Sequence, residues 1–176
     1  MRGKCNILFL IQSDFVGGAE VVLHILLSRL DKMKFKCILL FYKKGKTSEY
    51  FSDLGMECIV IEDTSRRLQF IKKVVLKGKI DMGYFYSFLN LREAIVMKSF
   101  KIPLVFHGHN LYTPANKICS FRQRKQIFRA IDCLADQVIT CSKAVKQQFK
   151  GMAFYRQAKT IYNGIDTRRF LLKKKV

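Results

Sequence analysis

Two apolar runs of the chain are joined by the segment Gln12-Ser13-Asp14-Phe15-Val16-Gly17-Gly18-Ala19-Glu20. The run before it, Ile7 to Ile11, is short and continuous. In the run after it, Ala19 to Leu30, polar residues recur at every fourth position as Glu20, His24 and Ser28. This pattern predicts a strand, a tight glycine turn and a helix that begins at Gly18.

The glycine pair has two interpretations. The first N–H groups of a helix lack internal acceptors and, with the helix dipole, favour a bound phosphate or carboxylate, which Gly17 and Gly18 would let approach closely. Alternatively, the glycines serve only the backbone angles of the turn. The segment lacks the third glycine of the dinucleotide fingerprint and the Gly-Lys-Ser/Thr of a P-loop, so it does not favour NAD or ATP.

Length and composition indicate one globular domain with reduced thiols. The chain has 176 residues, 49% of them hydrophobic, and no apolar stretch of the roughly 18 residues that a membrane span needs. The basic start lacks the pattern of a secretory signal. The six cysteines form no CxxC pair. Because Cys5, Cys37 and Cys58 lie in or beside apolar runs, we expect buried, reduced thiols and a cytoplasmic location.

The formal net charge of +20 predicts an attraction to phosphate groups, whether in nucleic acid, anionic lipid headgroups or nucleotide-linked substrates. The alternative is a biased composition in which lysines simply solvate exposed faces. Specific nucleic-acid binding is the weakest interpretation, because the lysines are dispersed and no nucleic-acid module is recognisable.

Strand and helix patterns alternate along the whole chain. The predicted strands are Asn6–Ile11, Lys36–Phe41, Glu57–Ile61, Met82–Tyr86, Leu104–Phe106, Gln137–Thr140 and Lys159–Tyr162. The predicted helices are Gly18–Leu30, Ser48–Leu54, Arg66–Leu76, Leu89–Ser99, Ile118–Leu134 and Lys143–Phe149. This alternation predicts an α/β, Rossmann-like fold, with a mostly parallel sheet and helices on both faces.

Ligands of open parallel sheets bind beyond the carboxyl ends of the strands. The segments expected there are Ser13–Gly18, Tyr86–Asn90, His107–Asn110 and Cys141–Ser142. The loop from Gly108 to Lys117 is long, which is often a sign of function. His107 and His109 have the spacing of a metal pair, but no third ligand is evident in the sequence, so we expect no metal and no other cofactor.

Four motifs support a family assignment. They are Gly17-Gly18-Ala19-Glu20, Ile102-Pro103-Leu104-Val105-Phe106-His107, Ala135-Asp136-Gln137-Val138-Ile139-Thr140-Cys141-Ser142, and Ile161-Tyr162-Asn163-Gly164-Ile165-Asp166 with Phe170. In this order and spacing they resemble the amino-terminal half of family 4 glycosyltransferases, which have the two-domain GT-B fold. The resemblance implies that residues 1–170 form the acceptor-side domain and that 171–176 begin the linker to an absent donor-binding domain.

The resemblance also implies roles for individual residues. Gly17 and Gly18 would hold the diphosphate of a UDP- or GDP-linked donor sugar, and His107 would be the catalytic residue beside the transferred sugar. Acceptor contacts would come from Asp14, His109 and Asn110, although turn hydrogen bonding explains Asp14 equally well. The passage into the second domain would be marked by Asn163, Gly164 and Asp166.

The resemblance further implies a retaining, metal-independent transfer to a glycan or lipid-linked acceptor in polysaccharide or cell-envelope synthesis. Since a missing domain or partner chain would hold the donor, we expect this half alone to be inactive. The competing hypothesis is a non-catalytic basic module that binds an anionic membrane or a partner subunit, or a truncated remnant. Arg122, Arg124, Lys125 and Arg129 make Ile118–Leu134 a basic amphipathic helix, which is compatible with peripheral contact at the inner face of the plasma membrane.

The two polar residues that follow the glycine pair are expected to have structural roles. Glu20 is an acid in the first turn of a helix, where the positive end of the dipole favours it. His24 lies four positions later on the same polar face of the predicted helix, so we expect it to be solvated or paired with Glu20.

Overall fold

The structure, a computed structural model, describes residues 3–87, 89–112, 120–165 and 167. Over these residues the strands are β1 (Cys5–Ile11), β2 (Phe35–Phe41), β3 (Glu57–Val60), β4 (Met82–Tyr86), β5 (Leu104–Gly108), β6 (Gln137–Thr140) and β7 (Lys159–Thr160). They form one parallel sheet in the order β3-β2-β1-β4-β5-β6-β7. Every strand predicted from the sequence is therefore present.

The connections between strands are helical. The α-helices are α1 (Gly18–Ser28), α2 (Lys46–Tyr50), α3 (Arg67–Gly78), α4 (Leu91–Ser99), α5 (Phe121–Leu134) and α6 (Lys143–Gln147). Short 3₁₀ turns lie at Ser52–Leu54, Thr64–Arg66 and Ala153–Arg156. The predicted α/β, Rossmann-like class is confirmed.

The central strands bury both faces because their side chains alternate between two cores. On one face, Ile7 and Phe9 of β1 pack in a cluster with Leu23 and Leu27 of α1. On the other face, Leu8 belongs to a cluster formed with apolar residues of α3, α4, α5 and α6. Helices α1 and α2 therefore cover one face, and the remaining four cover the other.

The order in which strands are added to the parallel sheet reverses between β1 and β4. From β1 the chain adds β2 and β3 on one side, and β4 to β7 follow on the other. Neighbouring connections diverge at such a switch point, which leaves a crevice at the carboxyl ends of the two strands. The glycine turn follows β1 directly, so the topology places it at this crevice.

Element boundaries differ from the predictions where capping or sheet pairing decides them. Helix α4 begins at Leu91 instead of Leu89, with Asn90 as its N-cap. Helix α5 begins at Phe121, where the Ser120 hydroxyl accepts the Gln123 N–H at 3.3 Å, and the predicted start at residues 118–119 lies outside the described residues. Strand β5 extends two residues further than predicted, so His107 is a strand residue paired with Tyr86 and Ile139.

The expectation of buried thiols is wrong for part of the set. Cys37 is buried and Cys5 is half-buried, but Cys58 and Cys133 are exposed. Cys58 lies on β3, an edge strand whose first two side chains face solvent. In the part of the chain that the structure describes, no helix has the length and apolar character that crossing a bilayer requires.

Candidate functional site

A crevice of about 530 Å³ opens at the switch point between β1 and β4. The glycine turn forms one wall, and Tyr86, Ser87 and Asn110 contribute to the others. Residues from three of the four predicted segments therefore meet where the topology requires. His107, by contrast, is not part of the lining and is only 7% exposed.

The N-terminus of α1 is only partly available to a ligand. The Gly17 N–H donates to the Glu20 carboxylate at 2.9 Å, and Glu20 is 7% exposed. Glu20 therefore caps the helix, as its first-turn position predicts. Among the described residues, no acceptor is within hydrogen-bond distance of the Gly18 N–H. Any anion contact made by this turn consequently falls on Gly18 and not on Gly17.

Backbone angles do not explain the two glycines, because neither has a positive φ. A Cβ at position 17 would lie 3.0 Å from the Phe15 ring, so packing favours glycine there. A Cβ at Gly18 would meet nothing within 4 Å. Packing within the described chain therefore does not require glycine at 18, and the space beside its backbone is open to a ligand.

Tyr86 connects the glycine turn to the histidine pair. Its hydroxyl donates to the Ala19 carbonyl in the first turn of α1. Its ring lies 4.3 Å from that of His109 and 5.6 Å, edge-on, from that of His107, measured between centroids. The turn and the histidines therefore form one continuous cluster, with β4 between them.

His107 is a neutral, oriented imidazole. Its Nδ1 lies 2.8 Å from the Tyr84 hydroxyl, which has no other polar contact among the described residues. We assign the proton of this bond to the phenol, which leaves Nε2 of His107 protonated. Burial lowers the pKa of His107 to about 3, and the neighbouring His109 contributes. Burial likewise lowers the pKa of His109 to about 4.

Unpaired polar atoms concentrate at this edge of the sheet. Among the described residues, buried side-chain atoms without a hydrogen-bond partner include Nε2 of Gln12, His107 and His109 and Oγ of Ser87. Buried polar atoms are usually paired, and exceptions often mark a functional site. Ser87 is also a non-glycine residue in the left-handed region, with φ of 67°. Gln12 and Ser87 line the crevice, whereas the two histidines are not part of its lining.

The predicted acceptor residues do not all meet. Asn110 lines the crevice, and its carbonyl accepts Nε2 of Gln148 at 2.9 Å. His109 stacks beside Tyr86. The Asp14 carboxylate instead lies 2.6 Å from the Lys43 ammonium, and both side chains are largely exposed.

Two further predictions concern the linker and the helix stripe. Asn163 and Gly164 are exposed beyond β7, whereas Asp166 and the predicted linker at 171–176 lie outside the described residues, as does the second half of the long loop, 113–117. His24 is not paired with Glu20: its Nε2 contacts the Asp53 carboxylate at 2.9 Å. Packing of α1 against the Ser52–Leu54 turn brings these two residues together.

Sequence reasoning missed Tyr84, Tyr86 and Ser87 as individual site residues. The available signal was two tyrosines at alternate positions of one strand, which puts both hydroxyls on one face of the sheet. That pattern also fits an ordinary core strand, so only the contacts of each hydroxyl distinguish the two cases.

Fold and crevice together define a Rossmann-like domain with an open crevice at its switch point. The chain belongs to glycosyltransferase family 4, whose model matches residues 16–169. The comparison with curated proteins gave no match.

Solved structures resemble this chain over about 45% of their own length. Anabaena HepE in complex with UDP-glucose has a TM-score of 0.75 at 23% identity over 93% of this chain and 45% of its own. A Rickettsia africae glycosyltransferase has a TM-score of 0.72 at 14% identity, covering 96% of this chain and 45% of its own. The UDP-N-acetylglucosamine 2-epimerase of Rickettsia bellii has a TM-score of 0.61 at 17% identity, covering 91% of this chain and 45% of its own. The chain has the fold of one half of the GT-B architecture.

The histidine pair predicts a pH dependence of stability. Because burial lowers both folded-state pKa values below the ordinary value of 6.5, the unfolded chain binds more protons between about pH 4 and 6.5. The free energy of unfolding is therefore not reduced by these histidines above pH 6.5, and it declines as the pH falls below that value. Replacing His107 by Gln should flatten the slope of unfolding free energy against pH by up to about 1.4 kcal/mol per unit. Urea unfolding from pH 4.5 to 7.5 measures it; an unchanged slope would contradict a buried, neutral His107.

Proposed function

We propose that this chain is the acceptor-side half of a retaining, nucleotide-sugar-dependent glycosyltransferase. Its donor is a UDP- or GDP-linked sugar and its acceptor a glycan or lipid-linked acceptor in cell-envelope or polysaccharide synthesis. Family membership supports the reaction class. The complexes of HepE with UDP and UDP-glucose favour UDP over GDP as the nucleotide.

The observation that carries the proposal is the cluster of unpaired donors at the switch point. The Gly18 N–H and Nε2 of His107 both lack acceptors among the described residues, and Tyr86 links the elements that hold them. In the proposed complex the Gly18 N–H and the α1 dipole stabilise the diphosphate. Nε2 of His107 donates to an oxygen of the transferred sugar.

This arrangement stabilises a leaving group without itself supplying positive charge. Both histidines are neutral near pH 7, since burial lowers their pKa values, and no lysine or arginine lines the crevice among the described residues. In the proposed reaction the bond from the anomeric carbon to the diphosphate breaks, and the acceptor oxygen bonds to the same face of that carbon while its proton passes to an oxygen of the departing diphosphate. Cations of a second domain then balance the diphosphate charge, with no metal.

The proposed second domain follows residues 1–170, with 171–176 as the start of the linker and Asn163, Gly164 and Asp166 at the hinge. The exposure of Asn163 and Gly164 and the 45% coverage of the solved neighbours support it. The domain is on this polypeptide or on a partner chain. The epimerase neighbour shows that such a fold also serves other nucleotide-sugar chemistry, so transfer itself needs a test.

The first test joins the chain to the donor-binding half of a family 4 enzyme and follows transfer from UDP-glucose. We expect transfer in the chimera, and replacing His107 by Ala should lower its rate roughly 10²- to 10³-fold, the effect of removing one preorganised donor. His24→Ala is the matched control, because His24 contacts Asp53 of the Ser52–Leu54 turn and is not part of the crevice lining. Equal rates in the two variants would remove His107 from the mechanism.

The second test separates stability from function at Gly18. Because an added Cβ meets nothing and the backbone there has no positive φ, Gly18→Ala should raise the free energy of unfolding by roughly 0.4–1 kcal/mol, since Ala has less conformational freedom in the unfolded chain. In the chimera the same methyl should obstruct the diphosphate and weaken the use of UDP-glucose. Denaturant unfolding and the KM for UDP-glucose measure the two effects. A more stable variant with unchanged KM would contradict the proposed contact.

A second candidate property is peripheral binding to an anionic membrane. A hollow of about 730 Å³ lies between α4 and α5, and Leu91 and Ile95 at its border are 51% and 52% exposed. Exposed basic residues of α5, among them Lys125 and Arg129, lie on the same helical layer. Apolar side chains bordered by cations are typical of helices that lie in the membrane interface.

Sedimentation with vesicles tests this contact. The chain should bind phosphatidylglycerol vesicles more tightly than phosphatidylcholine vesicles, and Leu91→Gln/Ile95→Gln should weaken binding without changing the fold, since both side chains are half exposed. Leu76→Gln, which alters an exposed leucine of α3, is the control. No salt-sensitive binding by the original chain would end this proposal.

A further inference from the structure

A basic pocket borders α5 beside the hollow just described, and Arg129 lines both cavities. It has a volume of about 260 Å³ and lies between α5 and the segment that follows α6. Its lining comprises four cationic side chains, two apolar ones and one amide: Arg124, Lys125, Arg129, Lys150, Phe128, Met152 and Gln148. No acidic residue contributes to this lining.

The charges of this pocket are uncompensated. Among the described residues, none of its four cations has a carboxylate within ion-pair distance, whereas Lys98 pairs with Asp136 and Arg67 with Glu93. Arg124 lies over the Phe128 ring with its guanidinium carbon 5.0 Å from the centroid. This contact holds one guanidinium on an apolar floor, where its N–H groups remain free for an anion.

The pocket is joined to the crevice through one short segment. The Gln148 side chain, part of the pocket lining, donates to the Asn110 carbonyl at 2.9 Å and accepts the Tyr112 N–H at 2.9 Å. Asn110 in turn lines the crevice. The segment 110–112 therefore connects the two cavities through the hydrogen bonds of Gln148.

We propose that this pocket binds a phosphate group, and that the acceptor is a phosphate-bearing sugar or lipid whose hydroxyl reaches the crevice. The binding of phosphate follows from the pocket alone, and the assignment to the acceptor rests on the proposed function. Convergent cations bind phosphate strongly, and a guanidinium does so through paired N–H groups. A merely solvated helix face does not need four unpaired cations around one concavity.

Nuclear magnetic resonance of the full chain tests the binding site. Titration with inorganic phosphate at constant ionic strength should shift the amides of 124–129 and 148–152 most. Lys125→Gln/Lys150→Gln should weaken binding at least about tenfold, since two nearby charges are removed. Lys72→Gln/Lys77→Gln removes the same charge from exposed positions of α3 and should change affinity less than about twofold. Lys125→Arg/Lys150→Arg should restore it.

The proposal would be overturned if the pocket variant and the α3 variant weakened phosphate binding equally. It would also be overturned if phosphate shifted only the amides in the first turn of α1. Glycerol 3-phosphate and phosphatidylglycerol vesicles then distinguish the sources of the phosphate. A pocket variant that loses both ligands, or the soluble one alone, supports the pocket as a phosphate site; retention of both overturns it. If the chimera transfers no sugar while phosphate still binds the pocket, the proposed function fails and the phosphate site stands.

Discussion

The hydrogen bond from the Tyr86 hydroxyl to the Ala19 carbonyl fixes the first turn of α1 against the central strand β4. Parallel pairing of β4 with β1 and β5 sets the spacing of the three strand ends, and this hydrogen bond adds the placement of the first turn of α1. The Tyr86 ring also lies against His107 and His109. The geometry of the site therefore depends on a buried tyrosine that lies outside the sequence motifs, as well as on the motifs themselves.

The crevice and the helical faces of this domain differ in their electrostatics. Burial keeps both histidines neutral, and Glu20 already uses the Gly17 N–H at the positive end of α1. The crevice consequently offers directed hydrogen bonds and a helix dipole but little net charge. The cations of the chain lie instead on its helical faces, where the α5 pocket collects four of them. Such a division suits a half-site that orients a sugar while another domain neutralises its diphosphate.

The sequence predicted the fold well because strand and helix periods are local properties that the parallel sheet preserves. Contacts between residues far apart in the chain could not be predicted from local sequence patterns. The pairing of His24 with Asp53 depends on how α1 meets the Ser52–Leu54 turn, and Asp14 contacts Lys43 across neighbouring loops. The exposure of Cys58 follows from the edge position of β3. Tyr84 and Tyr86 were missed for the same reason: a strand tyrosine shows its role only through the partner of its hydroxyl.

The central claim is that the glycine turn and the histidine pair form one site for a sugar diphosphate. A crystal structure of the chain joined to a donor-binding half, with UDP-glucose bound, tests it most directly. It should place a diphosphate oxygen within about 3.2 Å of the Gly18 nitrogen and a sugar oxygen at the same range from Nε2 of His107. A donor bound without contact to either group, or one that reaches the turn while His107 stays sealed beneath protein, would contradict the claim.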